Sequence, residues 1–503
     1  MPRTVAELLE HSATRFADRP FLCAQGRTCT FAAFAERVRT AIASLRAHGL
    51  QRGDRVAILL PRGVDEAVAL VAGMAAGAIA VPIHAKLKDD QVRHVLQDAA
   101  PRLCVTNAAR TVGLRDADDV LRGQRLLDPH ADLAGAAAEQ VLAVETGDPA
   151  VLLYTSGSTG PAKGIVQTHG NQARGAEIVS RYLRLDQDDH ILALLSFSFD
   201  YGLNQLLTAL LVGCRLTTAE HLGVGELASL LRTHRPTGLA GVPSLWHEVA
   251  AGLDAGTLGD DDGSSLRYVT NSGGALRGAD TQVLRRRWPH CDVYAMYGLT
   301  EAFRSAFLPP EEFDAHPDSF GYAIEGVELL LVAPTTGEVL DGPATGELVH
   351  AGELVARGYW NRPDAEARRF RPDPRGGAGR VVYSGDLVRR DERGRHYFVG
   401  RMDRMLKVHG HRVSPDEVAQ AVVGMEGVGE VWVLGLDGGA DGHRIALCCV
   451  GDPADQALRQ ALRRRCRSRL PSYMQPGVLE VLPALPHNAN GKVDEAALRG
   501  MLS

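Results

Sequence analysis

Tyr154-Thr155-Ser156-Gly157-Ser158-Thr159-Gly160-Pro161-Ala162-Lys163-Gly164 is the stretch on which the reading of this chain turns. It follows the apolar run Ala150-Val151-Leu152-Leu153, whose pattern predicts a buried strand. Glycines let backbone N–H groups curl around an anion with no Cβ in the way. The hydroxyls of Thr155, Ser156, Ser158 and Thr159 add donors, and Lys163 adds a positive charge. The result is a cradle for a polyphosphate. It is not a Walker A loop, which needs Gly, four residues, then Gly-Lys-Ser/Thr. Here Lys163 lies three residues after Gly160 and precedes Gly164. A Ser/Gly stretch alone is an ordinary flexible turn. The ordered run of hydroxyls, glycines, proline and lysine after a strand is what points to a binding loop.

On the N-terminal side of the loop, apolar periodicity predicts a helix from Thr4 to about Phe16. A helix end and turn then lead to the strand Val56–Leu60, the helix Asp65–Ala76 and the strand Ala80–Ile83. The helix Asp90–Ala99 and the strand Leu103–Thr106 follow. Such alternation means a layered α/β unit with a parallel sheet. Residues 107–148 are weakly patterned and read as surface helices and connection. Beyond the loop a second alternation runs from Ile191 to Tyr297. Two α/β halves side by side leave a crevice at the carboxyl ends of their strands. From Gly321 to Phe398 short strands alternate with turns, which predicts a β-rich subdomain. A fresh α+β pattern starts at Gly400: a hairpin, a helix Pro415–Val423, strands Val431–Leu434 and Ile445–Val450, and a basic helix Leu458–Leu470.

At 503 residues the chain is too long for one core. A hydrophobic fraction of 45% and a charged fraction of 23% are those of a globular protein. The net charge of −6 argues against a nucleic-acid surface. The run Arg463-Arg464-Arg465-Cys466-Arg467 reads as a solvated helix face, with an acidic protein partner as the other reading. The eight cysteines form no CxxC pair and read as buried free thiols of a cytoplasmic protein. No signal peptide is expected, and no apolar run reaches the roughly 18–20 residues of a membrane span.

Further motifs carry chemistry. Tyr297-Gly298-Leu299-Thr300-Glu301 closes a strand with an aromatic for a base, a hydroxyl for a phosphate and a carboxylate for a hard cation. Tyr383-Ser384-Gly385-Asp386 offers an Asp at a strand end that can accept two ribose hydroxyls. Gly400-Arg401-Met402-Asp403 opens the last unit, and Pro486-His487-Asn488-Ala489-Asn490-Gly491-Lys492 places a lysine on a Gly/Asn loop near the chain end. Each alone is an ordinary turn, cap or solvated loop.

In this order, along nearly the whole chain, the motifs resemble those of the adenylate-forming enzymes. That family includes acyl-CoA synthetases, luciferases and adenylation domains of nonribosomal peptide synthesis. The resemblance implies a large N-terminal domain of two layered α/β subdomains plus the β-rich subdomain over residues 1–399. It implies a hinge at 400–403, pivoting at Asp403, and a small mobile α+β C-terminal domain over 404–503. It implies ATP and Mg²⁺ as cofactors. Thr155, Ser156, Gly157, Ser158, Thr159, Gly160 and Lys163 would hold phosphates. Ser272, Gly273, Gly274 and Ala275 would form the adenine turn, and Tyr297 would stack on the base. Many relatives carry Asn or Gln where this chain has Ala295, so backbone groups would read the base. Asp386 and Arg401 would take the ribose, Thr300 a phosphate oxygen and Glu301 the metal. Lys492 would bridge the substrate carboxylate and the α-phosphate, so Lys492, Thr300 and Glu301 are the catalytic candidates. Gly410 would line the pantetheine tunnel.

By the same resemblance the acid pocket would comprise Phe199, Asp200, Tyr201, Asn204, Ala240, Thr270, Ser272, Met296, Arg304 and Ser305. Fatty-acyl and aryl members often carry histidine at the position of Phe199, whereas amino-acid-activating members carry Phe-Asp, the Asp pairing with the substrate ammonium. Asp200 matches that Asp. Arg304 leaves two readings: it pairs with Asp200, or it meets an acidic or polar group on the substrate, since an unpaired buried charge is costly. The expected reaction is activation of an amino acid or small polar acid as its acyl-adenylate, with release of pyrophosphate. Transfer to the pantetheine thiol of a separate carrier protein follows. The alternative is an AMP-forming acyl-CoA synthetase acting on a non-amino acid. A catalytically idle scaffold and a nucleic-acid-dependent ligase are the readings from other classes. The acid, a carrier protein or CoA are the expected partners, without nucleic acid or membrane, for a monomer or homodimer.

Overall fold

The computed structural model describes residues 1–503 except 85, 88, 108–110, 112–116, 134–136, 139–142, 156–161, 405, 409–410, 438–442, 471–473, 489–491 and 503. The expectations for Ser156, Gly157, Ser158, Thr159, Gly160 and Gly410, and for the Asp403 side chain, lie outside what is described.

Among the described residues, two large sheets form the body. The first has seven strands, ordered 358–359, 163–168, 149–155, 79–82, 55–59, 103–106 and 126–127. Its centre is parallel, and Ile79–Pro82 and Leu103–Thr106 are buried at every position, as strands covered on both faces must be. The expected alternation from Val56 to Thr106 is thus observed. The second sheet holds parallel strands 190–193, 215–218, 238–241, 268–271 and 292–299. Helices Val5–Arg15, Phe31–Ala47, Val64–Ala75, His169–Tyr182 and Asp200–Val212 share one apolar core with strands of both sheets, so the two layers are fused rather than merely adjacent.

The N-terminal hairpin, Pro20–Ala24 and Arg27–Thr30, joins the second sheet rather than the first. Its first strand runs parallel to Arg215–Thr218 of the second, with Leu22 opposite Leu216. The expected β-rich segment is present and is continuous with the second sheet. Antiparallel pairings of 302–308 with 319–323, and of 319–323 with 396–401, extend the second sheet continuously into it. The helix expected over Pro415–Val423 stops at Gln420.

The last unit has a three-stranded sheet, Val431–Asp437, His443–Val450 and Val478–Leu482, the last pair parallel. Helix Gln456–Arg469 packs Leu458, Leu462 and Cys466 inward and leaves most of its arginines outside, so the basic run is a helix face. The eight cysteines are free, and seven are buried. No helix among the described residues is long and apolar enough to cross a membrane.

Local signals explain the helix that matters most for the site. Helix Asp200–Val212 ends at Gly213, whose left-handed φ of 78° lets the chain turn back. Within it Gly202 is obligatory, because a Cβ there would collide with the Ser196 carbonyl oxygen. The helix start is thereby seated directly on the 195–196 backbone.

Helix Val5–Arg15 is capped by Thr4, whose hydroxyl accepts from the Glu7 N–H at 3.2 Å. It is tied to the neighbouring helix by His169, whose Nδ1 accepts from the Val5 N–H at 3.3 Å. Burial lowers the His169 imidazole to about 4, and His190 likewise to about 4. The folded chain keeps these rings neutral, while the unfolded chain protonates them below about pH 6.5. Stability should therefore fall as pH drops from about 6.5 to about 4 and level off below. The His169 contribution alone is on the order of 3 kcal/mol. Urea unfolding across that range checks it, and His169→Asn, which keeps an acceptor near Nδ1 but cannot titrate, should flatten the slope.

Candidate active site

The phosphate-loop strand and its return strand pair antiparallel, which sets Thr155 opposite Lys163 at the loop's base. The Lys163 Nζ stands 5.6 Å from the centroid of the Tyr359 ring. The Tyr359 hydroxyl donates to Glu301 Oε1 at 2.5 Å, and Arg369 Nε lies 3.9 Å from the same oxygen. The Glu301 side chain is 13% exposed. The Thr300–Glu301 turn is clamped by its backbone. Gln167 Nε2, from the return strand, donates to the Thr300 carbonyl at 2.8 Å, and the Ala356 N–H donates to the Glu301 carbonyl at 2.8 Å. The loop base and the carboxylate proposed for metal are thus parts of one rigid seam.

Towards the other end, Asp386 lies within the long strand Arg380–Arg390, not at a strand end as expected. Gly385, at φ 68°, takes a left-handed conformation that bends the strand there. Asp386 is buried. Its Oδ1 accepts from Arg401 Nη1 at 2.8 Å and its Oδ2 from the Tyr297 hydroxyl. Burial raises the Asp386 carboxyl, and the Arg401 charge and the Tyr297 hydrogen bond oppose that. The Tyr297 ring lies near parallel to Phe320 at 4.5 Å and to His350 at 5.8 Å. Gly273 and Gly274 form an exposed turn after strand Tyr268–Asn271, with Gly273 at φ 85° and the Gly274 carbonyl accepting from Asn271 Nδ2 at 2.8 Å. Ser272 and Ala295 are buried beside it.

The acid-pocket residues converge on helix Asp200–Val212 and strand Ala302–Leu308. Phe199 is the N-cap position of the helix and Asp200 its first residue. Asp200 Oδ1 accepts from the Tyr201 N–H at 2.8 Å, and burial raises its carboxyl against the opposing charges of Arg304 and Lys492. Tyr201 and Thr270 share a hydrogen bond through their hydroxyls. Burial pushes the Tyr201 phenol up to about 12, so it remains a donor at neutral pH. The Arg304 guanidinium sits 3.9 Å above the Tyr201 ring, and its Nη1 donates to Met296 Sδ at 2.9 Å. Arg304 makes no ion pair with Asp200 within 4.0 Å, although its charge opposes the upward shift of the Asp200 carboxyl. Asn204, Ala240 and Ser305 are buried nearby. Tyr201, Asn204, Ala240, Thr270 and Arg304 line one small cavity of about 20 Å³. Lys492 is exposed on its loop; its carbonyl accepts from the Asn488 N–H at 2.7 Å, and its charge reaches Asp200.

The structure therefore brings Thr155, Lys163, Thr300, Glu301, Tyr297, Asp386 and Arg401 to one seam and opens the acid pocket beside it. Sequence reasoning missed Tyr359, Arg369 and Gln167. The signal for Tyr359 was present in Gly358-Tyr359-Trp360-Asn361-Arg362-Pro363, an aromatic cluster in a turn. Nothing local marked Arg369 or Gln167, because their contacts are long-range.

Comparison with known proteins agrees with this geometry. The model of the AMP-binding enzyme family matches residues 9–360, and that of the AMP-binding enzyme C-terminal domain matches 417–492. The chain belongs to that family. It is an AMP-forming ligase. It is 31% identical to the L-proline--[L-prolyl-carrier protein] ligase of Streptomyces coelicolor, over 98% of this chain and 95% of that one. It is 28% identical to surfactin synthase subunit 2 of Bacillus subtilis, over 98% of this chain but only 14% of that much longer protein. Among solved structures, ATP-bound MatB from Rhodopseudomonas palustris matches with a TM-score of 0.88 at 24% identity, covering 99% of this chain and 98% of that one. The apo form of the same protein matches at 0.77 and 25% identity, with the same coverage.

Replacing Tyr359 by Phe removes the donor that holds Glu301 Oε1. The expected result is a folded enzyme that needs roughly tenfold more magnesium for half-maximal activity, since a carboxylate without its orienting partner binds metal more weakly. A magnesium titration of the variant against the parent measures it.

Proposed function

We propose that this chain adenylates an amino acid or other small polar acid and loads the acyl group onto the pantetheine thiol of a separate carrier protein. The observation that carries the reading is Asp200. One of its oxygens is taken by its own helix, at the Tyr201 N–H, and among the described residues no cation lies within ion-pair distance. The other oxygen accepts no hydrogen bond from the described residues, which leaves it available for a substrate ammonium. The match to a carrier-protein ligase over nearly the full length of both chains supports the acceptor.

In this reading the 155–160 loop with Lys163 holds the phosphates of ATP. The Ser272–Ala275 turn and Tyr297 flank the base, and Asp386, braced by Arg401 and Tyr297, accepts the ribose hydroxyls with its remaining lone pairs. Glu301 keeps Oε2 for Mg²⁺, which binds proteins through one or two carboxylates plus substrate phosphates. Among the described residues no three acidic, His or Cys side chains converge into a closed metal cage, which fits a cation shared with the nucleotide. Bound there, the cation would neutralise phosphate charge as pyrophosphate leaves. The substrate carboxylate attacks the α-phosphorus, and Lys492 stabilises the charge that develops between them.

The hinge reading is supported by how the chain's anchors change sides. Arg401 is bound to Asp386 of the large body, whereas Arg404 stacks on Trp432 at 4.1 Å and donates to the Val433 carbonyl at 3.0 Å. Only Met402 and Asp403 lie between. A pivot there lets the C-terminal unit carry Lys492 in and out of the site, as a rigid-body switch between two half-reactions. The closer likeness to the ATP-bound form of MatB than to its apo form, and the Lys492 charge felt at Asp200, support an arrangement set for adenylation.

The test is ATP–pyrophosphate exchange over a panel of amino, fatty and aryl acids. Exchange with an amino acid is expected, as is a fall of on the order of a hundredfold or more in Lys492→Ala, since one such donor contributes about 2.7–4 kcal/mol. No exchange with any acid overturns the reading. Thioester formation with a phosphopantetheinylated carrier and with free CoA then decides the acceptor. A preference for acids lacking an amine, unchanged by Asp200→Ala, moves the assignment to a CoA synthetase of non-amino acids.

A further inference from the structure

We propose that the acid this enzyme takes carries a second anionic group and that Arg304 recognises it. This rests on the adenylating reading above and narrows its substrate.

Arg304 is 4% exposed. A guanidinium has five N–H donors and a permanent charge. Here the charge faces the Tyr201 ring at 3.9 Å and the Phe303 ring at 5.3 Å, and one Nη1–H points to the Met296 sulfur. The Tyr182 and Tyr201 hydroxyls also interact with it, but hydroxyls, aromatic faces and a thioether are neutral partners that do not balance its charge. Among the described residues no carboxylate lies within 4.0 Å of it, although the protein pairs many of its exposed arginines with acids, Arg174 with three. A buried charge left this way is costly and calls for a partner not in the chain.

The backbone makes the placement deliberate. Arg304 sits at φ 45°, a left-handed conformation that a non-glycine residue rarely adopts. The facing strand approaches so closely that a Cβ on Gly298 would stand 2.7 Å from the Arg304 N. Glycine at 298 thus permits the strained residue at 304. The side chain lines the same cavity as Tyr201, Asn204 and Thr270, so what neutralises it must be what enters that cavity. Its neighbours favour an oxyanion. Of the Tyr201 and Thr270 hydroxyls, which bond each other, one proton remains to donate, and Asn204 spends its Oδ1 on the Thr208 hydroxyl at 3.3 Å, leaving its amide N–H groups to donate. The planar guanidinium fork matches a carboxylate in two parallel hydrogen bonds.

Asp200, the first residue of the helix that carries Tyr201 and Asn204, and Arg304, which lines the cavity, offer an anion and a cation to one ligand. The simplest acid that satisfies both while leaving a carboxylate for activation is an amino dicarboxylic acid. A hydrophobic amino acid would leave Arg304 unpaired in the complex as well.

The experiment compares matched pairs that differ only in that charge: aspartate with asparagine, glutamate with glutamine, succinate with its monoamide. Exchange kinetics of the parent enzyme should favour the anionic member of a pair by at least about tenfold in kcat/KM. Arg304→Gln should lose on the order of a hundredfold with the anionic member, chiefly in KM, and little with the neutral one. Arg304→Lys, which keeps charge without the fork, should fall between and serves if the Gln variant does not fold. Equal or better use of the neutral members, with a ratio unmoved by Arg304→Gln, overturns the proposal. If no acid supports exchange, the adenylating reading fails instead, and thermal stabilisation still decides this one. A rise in Tm with the dicarboxylates, absent with the monoamides and lost in Arg304→Gln, upholds it; no such rise overturns it.

Discussion

The turn that carries Thr300 and Glu301 is held by several parts of the molecule at once, and the site depends on that clamp. The Gln167 amide reaches it from the return strand of the phosphate loop, and the Ala356 N–H and the Tyr359 hydroxyl reach it from the segment that also hydrogen-bonds to that strand. Gln167 is buried, so a lost partner there would strand a polar group away from water, at a cost of about 1–3 kcal/mol. The clamp therefore resists opening. It keeps the base of the phosphate loop and the Glu301 carboxylate in fixed relation, and that fixed relation is what a transferring phosphoryl group requires.

Around this seam the charges are arranged in short alternation. Lys163, Glu301, Arg369, Asp386 and Arg401 follow one another along the seam, none deeply buried without a partner. Such a row holds itself together without a ligand and still has lone pairs and donors to spend on one. The acid pocket departs from the pattern. Asp200 and Arg304 influence each other through their charges yet do not touch. Two buried opposite charges held apart are incompletely satisfied by protein alone, which favours the substrate-binding reading proposed above.

The C-terminal unit adds the last cation. It is joined to the body through the short segment between Arg401 and Arg404, and by the Ser414 hydroxyl donating to the Val399 carbonyl at 3.1 Å. A Cβ on Gly400 would press on that hydroxyl. The junction is close-packed at Gly400, Ser414 and Val399.

Much of this was legible in the chain itself. Apolar periodicity located the helix after Thr4, the strands at 56, 80 and 103 and the strand before the phosphate loop, because each element buries a face that its own residues define. The order of motifs named the chemistry through its resemblance to a known family, although each motif alone is an ordinary turn, cap or loop. What the sequence could not reveal were the partners. Nothing in Leu22 says that it will lie opposite Leu216, and nothing in Asp386 says that Gly385 will bend a long strand to present it. Whether Arg304 closes on Asp200 or stands off from it was equally undecided, since both readings suit the same residues. Those outcomes depend on sheet register, on a glycine accepting a close approach and on the positive φ at 304. Each is a contact between segments distant in the chain, and only the packed structure chooses among them.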